Sequence, residues 1–166
     1  MSYLILVRHG QSVWNLEKKF TGWVDVDLTE NGKLEAKKSG ELIKSKNIDI
    51  DIYYSSFQLR AKNTLKLIKE ILQDIKISKE AWQLNERHYG ALTGLNKDEM
   101  KIKLGEEKVH QFRRSWDLRP DPLDKNQISK LEIPTGNPLL LNINKENKIT
   151  NCKYLDSKRA KDLLVF

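Results

Sequence analysis

The chain has 166 residues but one cysteine, Cys152, and only four prolines and two methionines. A lone thiol forms no internal disulfide and no cysteine-based zinc site, which suits a reducing compartment. No histidine accompanies Cys152, so an inert thiol is expected there. A chain of this length buries about 70% of the surface exposed when unfolded, so neither bridge nor metal is required to hold it. Long apolar runs are lacking too. Leu4 to Val7 is too short for a membrane span or a signal core, and Met1-Ser2-Tyr3 carries no basic lead, so the expected setting is the cytoplasm, without a membrane partner. No repeat, low-complexity tract or linker divides the sequence, and a single domain over 1–166 is expected.

Acidic charge is also in short supply: 23 Asp and Glu face 30 Lys and Arg, for a net charge of +7. Such a balance favours anionic partners, either phosphorylated small molecules or nucleic acid. The lysines are spread through nearly every segment and mixed with acids, rather than gathered in a basic tract with interleaved aromatics. Nucleic acid is therefore the weaker reading, and most of this charge is solvated surface.

Histidine is rare, with three residues, yet one of them stands at the most informative junction. Arg8-His9-Gly10 follows the apolar run Leu4 to Val7 and leads into Gln11-Ser12-Val13-Trp14-Asn15. A short apolar run ending in a glycine turn reads as a buried strand opening into a loop, where α/β sheets place ligands. Neutral imidazole attacks phosphorus near pH 7, and an adjacent guanidinium with loop N–H groups holds the phosphate oxygens.

Thr29 is a candidate N-cap for a helix running to about Lys46, with Leu34, Ser39, Leu42 and Ile43 on one face. Asp51 to Tyr54 reads as a strand, Phe57 to about Gln73 as a helix, and Ile75 to Ile77 as a short apolar strand. This alternation predicts an α/β domain with a parallel sheet core. Asn96 and Glu99 have capping-box-like spacing, opening helical character that continues past Gly105 to about Trp116, where Arg119-Pro120-Asp121-Pro122 breaks it. Leu139 to Ile143 and Lys148 to Leu155, parted by Asn144-Lys145-Glu146-Asn147, read as a β-hairpin.

Further groups suit a phosphate site. Thr21-Gly22 offers a hydroxyl and an unobstructed N–H, Arg60 sits near the start of the second helix, and Glu86-Arg87-His88-Tyr89 sets a carboxylate among cations. Arg113-Arg114 supplies paired guanidinium forks. Singly, each is more simply a surface or ion-paired residue; together and in this order they are not. The set resembles the cofactor-dependent phosphoglycerate mutases of the histidine phosphatase superfamily. The motifs are Arg8 to Asn15, Phe20 to Trp23, Leu84 to Leu92, Thr93 to Lys97 and Phe112 to Ser115, with a resumption from Ile133 to Pro138.

The resemblance implies a three-layer α/β/α fold with a C-terminal β-hairpin, and interconversion of 3-phosphoglycerate and 2-phosphoglycerate through a phosphohistidine primed by 2,3-bisphosphoglycerate, without metal. His9 would carry the phosphoryl group, and Glu86 would give and take the substrate's proton. Arg8, Arg60, Arg113 and Arg114 would bind phosphate and carboxylate. The remaining contacts implied are Gly10, Gln11, Ser12, Val13, Trp14, Asn15, Thr21, Gly22, Arg87, His88, Tyr89 and Lys97.

The chain departs from the family between about Trp116 and Glu132. Relatives place there a strand ending in a second histidine, in an Ala-His-Gly-Asn-Ser type motif, and one βαβ unit of about 30 residues does not fit the space. Of the histidines present, His88 is expected on the opposite face from Glu86, and His110, one turn before Arg113, as an exposed helical residue. The missing strand neighbours the one carrying His9 in the family, so an open sheet edge and a homo-oligomer or aggregate are expected consequences. The alternatives to a mutase are an internally deleted pseudoenzyme that binds phosphoglycerates or a full-length partner, and a histidine phosphatase.

Overall fold

The computed structural model describes residues 2–89, 92–114 and 135–160. The segment from Trp116 to Glu132, with its Pro-rich break, and the side chain of Arg114 lie outside the described residues.

β1 (Ser2–Leu6) leads through Val7 and Arg8 into the His9 loop and the short helix α1 (Val13–Leu16). Ser12 caps that helix in a reciprocal box with Asn15. The first long helix, α2 (Glu30–Lys44), begins where expected, because the Thr29 hydroxyl accepts the Gly32 N–H at 3.0 Å. β2 (Tyr53–Ser55) and α3 (Leu59–Leu72) follow. The buried faces of the two long helices are Ala36, Ser39, Gly40 and Ile43 on α2, and Arg60, Thr64 and Ile68 on α3. Leu34 instead points to solvent, 64% exposed.

The expected third strand is displaced. β3 is Ser78–Glu80, pairing in parallel with β2 as Tyr53 to Ser78, while Ile75 and Ile77 are 97% and 83% exposed. Polar anchors decide this. Lys76 ties the segment to Asp49 and to the Ile50 carbonyl, and Asp74 accepts the Tyr53 hydroxyl at 2.7 Å. The helix expected from Asn96 past Gly105 is two helices, α4 (Lys97–Leu104) and α5 (Glu106–Arg114). Gly105 separates them with φ of +87°, a left-handed setting that only glycine adopts cheaply. Asn96 caps α4 through the N–H groups of Asp98 and Glu99.

The hairpin is as expected: β4 (Leu139–Ile143) and β5 (Ile149–Tyr154) are antiparallel. Fully buried Asn137 closes its base, donating to the Asp156 carbonyl and accepting the Asp156 N–H, both at 2.9 Å.

The α/β class is borne out, with a different sheet arrangement. Among the described residues the parallel pairing is confined to β2 and β3, while β1 lies at the end of a second sheet, β1-β4-β5. Its antiparallel partner is β4, in register Leu6 to Leu139 and Leu4 to Leu141. One edge of the strand leading to His9 is thus closed by the hairpin. Three consecutive leucines of β4, 139 to 141, are at most 5% exposed, and they provide the apolar surface that draws Leu6 against Leu139, Leu141, Cys152 and Tyr154. On the other edge no strand is hydrogen-bonded to β1 among the described residues, and Tyr3 and Leu4 stay 48% and 44% exposed. A second core joins Phe20, Met100 and Val109, with Tyr89 and Leu92 packed on it, and holds the Thr21 and Tyr89 segments together.

Candidate active site

The His9 loop is fixed against α2 by a pair of glycines. A Cβ on Gly10 would meet the Gly32 carbonyl, and one on Gly32 would meet the Gln11 carbonyl, so the two backbones touch directly. The Gly10 N–H donates to the Thr64 hydroxyl at 3.1 Å, which in turn donates to the Arg60 carbonyl. The Gln11 N–H donates to Glu35 at 2.8 Å. The His9 loop is therefore tied to both long helices.

His9 has a defined tautomer. Its Nδ1 lies 2.7 Å from the Gly10 carbonyl, which only accepts, so Nδ1 carries the proton. Nε2 lies 3.2 Å from Arg60 Nε, which only donates, so Nε2 presents a lone pair. Burial above all, then the charges of Arg60 and Arg8, push the imidazole pKa down to about 4 against the opposing Gly10 bond. His9 is neutral at pH 7.

Arg60 is the hub. It is fully buried, and besides His9 its guanidinium donates to the carbonyls of Val24 at 3.0 Å and Gly22 at 2.8 Å and to Glu86 Oε2 at 2.9 Å. Four of its five N–H groups are thereby assigned, so Arg60 spends most of its capacity organising the site. Tyr89 donates to the other Glu86 oxygen at 3.3 Å. Burial first, then the Glu86 charge, raises the Tyr89 pKa, with Arg87 and Arg113 opposing. Lys97 is half-buried with its ammonium 5.8 Å from the Phe20 ring, and burial followed by the Arg113 charge lowers its pKa, Arg8 adding to this and Glu86 opposing it. Arg8, Lys97 and Arg113 thus share one electrostatic neighbourhood with His9, Glu86 and Tyr89.

Thr21 is 3% exposed and its hydroxyl has no hydrogen-bond partner among the described residues. A buried hydroxyl costs stability unless it is paired, and Thr21 precedes Gly22, whose carbonyl Arg60 holds, so this hydroxyl is a candidate partner for an oxyanion ligand.

Other expected contacts have local duties. Ser12 and Asn15 cap α1, Val13 is 39% exposed, and the Gln11 amide oxygen accepts the Thr29 hydroxyl at 2.9 Å. Trp14 lies under the Lys19 ammonium, and His88 is exposed and edge-on to Trp23. His110 is exposed, within electrostatic reach of Glu106. Gln58, which sequence reasoning passed over, and Trp23, named there only as part of a motif, contact the Glu86 peptide. Among the described residues no group of three or more His, Cys, Asp or Glu is placed to hold a metal, and no helix is long and apolar enough to cross a membrane.

Known proteins resemble the chain. The chain is 49% identical to a 2,3-bisphosphoglycerate-dependent phosphoglycerate mutase of Pelagibacter ubique, over 238 aligned positions covering all of both chains. It is 36% identical to the protein of the same name from Caulobacter, covering 98% of each. Among solved structures, phosphoserine phosphatase from Entamoeba histolytica in complex with 3-phosphoglyceric acid superposes with a TM-score of 0.55 at 32% identity, covering 65% of this chain and 51% of that one. Residues 4–131 match the family model described as the histidine phosphatase superfamily (branch 1), and the chain belongs to that superfamily.

Proposed function

We propose that the chain interconverts 3-phosphoglycerate and 2-phosphoglycerate through a phosphohistidine on His9. The observation that carries this is the His9 ring itself: neutral, held at Nδ1, and offering Nε2 beside a guanidinium that also holds a carboxylate. The open Thr21 hydroxyl and the cations Arg8, Arg60, Lys97 and Arg113 suit a ligand with several phosphate and carboxylate charges, and the names of the relatives support 2,3-bisphosphoglycerate in that place. That cofactor, when bound, supplies the phosphoryl group that charges His9.

Attack by Nε2 makes an N–P bond as an O–P bond breaks, and the departing oxygen needs a proton. Glu86 gives it in this reading. In the return step the N–P bond breaks, and Glu86 takes the proton from the attacking hydroxyl. The phosphoryl group displaces Arg60 from Nε2 and inherits its Nε–H donor, so the guanidinium neutralises oxygen charge without a metal. Arg113, and with it Arg114, would hold the substrate's second anionic group, with Arg87, Tyr89 and Lys97 lining the same side.

The internal gap belongs to this proposal. The Pelagibacter alignment has 238 positions against 166 residues here, so at least 72 positions have no residue of this chain opposite them. This supports the loss of the segment bearing the second histidine. Removing one preorganised donor of that kind slows phosphoryl transfer roughly 10²- to 10³-fold. The reaction is set in the cytoplasm, as a lone reduced thiol suggests, and a homo-oligomer through the bare edge of β1 is part of the same reading.

Incubation with radiolabelled 2,3-bisphosphoglycerate should label the protein, and His9→Ala should abolish the label. No label under conditions that charge an intact relative refutes the proposal. A phosphatase, suggested by the solved neighbour's name, would release inorganic phosphate in place of 2-phosphoglycerate.

A further inference from the structure

Gln58 occupies the N-cap position of α3, where a side-chain oxygen usually accepts one of the helix's first N–H groups, and it makes no such bond. Asp25 does so in its place, accepting the Leu59 N–H at 2.6 Å. The Gln58 side chain is 6% exposed, and its amide is spent elsewhere. Nε2 donates to the Gly22 carbonyl at 2.8 Å, and Oε1 accepts the Glu86 N–H at 3.3 Å. Both groups belong to the site: Gly22 follows the open Thr21 hydroxyl and shares its carbonyl with Arg60, and Glu86 is the proposed proton carrier.

We propose that Gln58 is a positioning residue for proton transfer, its amide bridging the Thr21-Gly22 loop to the Glu86 peptide and so fixing the carboxylate's distance from the phosphate site. This rests on the reading of Glu86 as proton carrier. Glu86 is gripped at four points. Its carboxylate meets Arg60 and Tyr89, its carbonyl accepts Trp23 Nε1 at 2.7 Å, and its N–H has Gln58 as its one partner among the described residues. During turnover the carboxylate must let go of Arg60 or Tyr89 to exchange its proton. At that moment one carboxylate contact and the two peptide contacts hold it, and one of the peptide contacts is Gln58. An amide is suited to the task because it donates and accepts at once without adding charge to a phosphate pocket.

The test uses Gln58→Met, which keeps the length and removes both hydrogen bonds. The kcat for 3-phosphoglycerate should fall about tenfold while KM stays within about threefold, since the cation set is untouched. Amide exchange at Glu86 should accelerate in the same variant, with Val109 in the second core unchanged. Should that variant fail to fold, Gln58→Asn keeps the amide but is one methylene too short to span both loops, and the same split is expected. Unchanged kcat, or a rise in KM alone, overturns the inference. If the unsubstituted chain turns over no phosphoglycerate, the function reading fails by itself. Exchange at Glu86 then judges the bridge separately, and equal exchange in parent and variant overturns it.

Discussion

His9 should make the fold sensitive to mild acid in a way that one substitution removes. Its imidazole titrates at the ordinary 6.5 in the unfolded chain and at about 4 in the fold, chiefly because of burial. Between those values the unfolded state binds a proton that the folded state refuses, so stability falls as pH falls. The sign is that of a base held neutral: the stabilisation is complete above 6.5 and is lost down to about 4. Integrating from about pH 7.5 to 4.5 gives about 2.5 kcal/mol for this one ring. Urea unfolding of the parent and of His9→Gln at the two pH values isolates the contribution, because every other titrating group cancels in the difference. The parent should lose about 2.5 kcal/mol more than the variant on acidification. Equal losses would refute the burial argument, and with it the claim that the nucleophile is poised as free base.

Thr21→Val removes a buried hydroxyl that has no partner while conserving shape. Thermal melts should show stability unchanged or raised by up to about 1 kcal/mol, while affinity for phosphoglycerate falls about tenfold by calorimetry. Gly10→Ala should act in the opposite sense: its methyl would collide with the Gly32 backbone and cost about 1 to 3 kcal/mol of unfolding free energy, with loss of His9 labelling.

Local signals in the sequence carried well. Thr29 caps α2 because a hydroxyl before a helix-periodic run has one obvious use, and the Asn144 to Asn147 turn likewise announced the hairpin. Partner choice did not carry. Nothing in the Leu4 to Val7 run distinguishes a parallel neighbour from β4, since either would cover Leu6, and the run is not the buried strand expected, Leu4 being 44% exposed. Apolarity also misled at Ile75 and Ile77, where the anchors on Lys76 and Asp74 outweigh two exposed side chains. For the site, His9, Arg60 and Glu86 were legible as residue types in order. The burial of Arg60 was not, because an arginine in a helix reads as surface until its acceptors, the carbonyls of Gly22 and Val24, are folded over it. Gln58 gave one faint sign, an amide in a slot that favours short oxygen side chains.

The pairing of Ser2–Leu6 with Leu139–Ile143 also sets the order in which this protein can be made. Loop closure over nearly the whole chain must precede that ladder, so its formation is slow relative to the local packing of α2 on α3. During synthesis the strand that leads to His9 emerges long before its partner β4. On the proposed function, His9 should become chargeable only after the hairpin has left the ribosome, and a chain halted before Leu139 should be caught by chaperones rather than labelled.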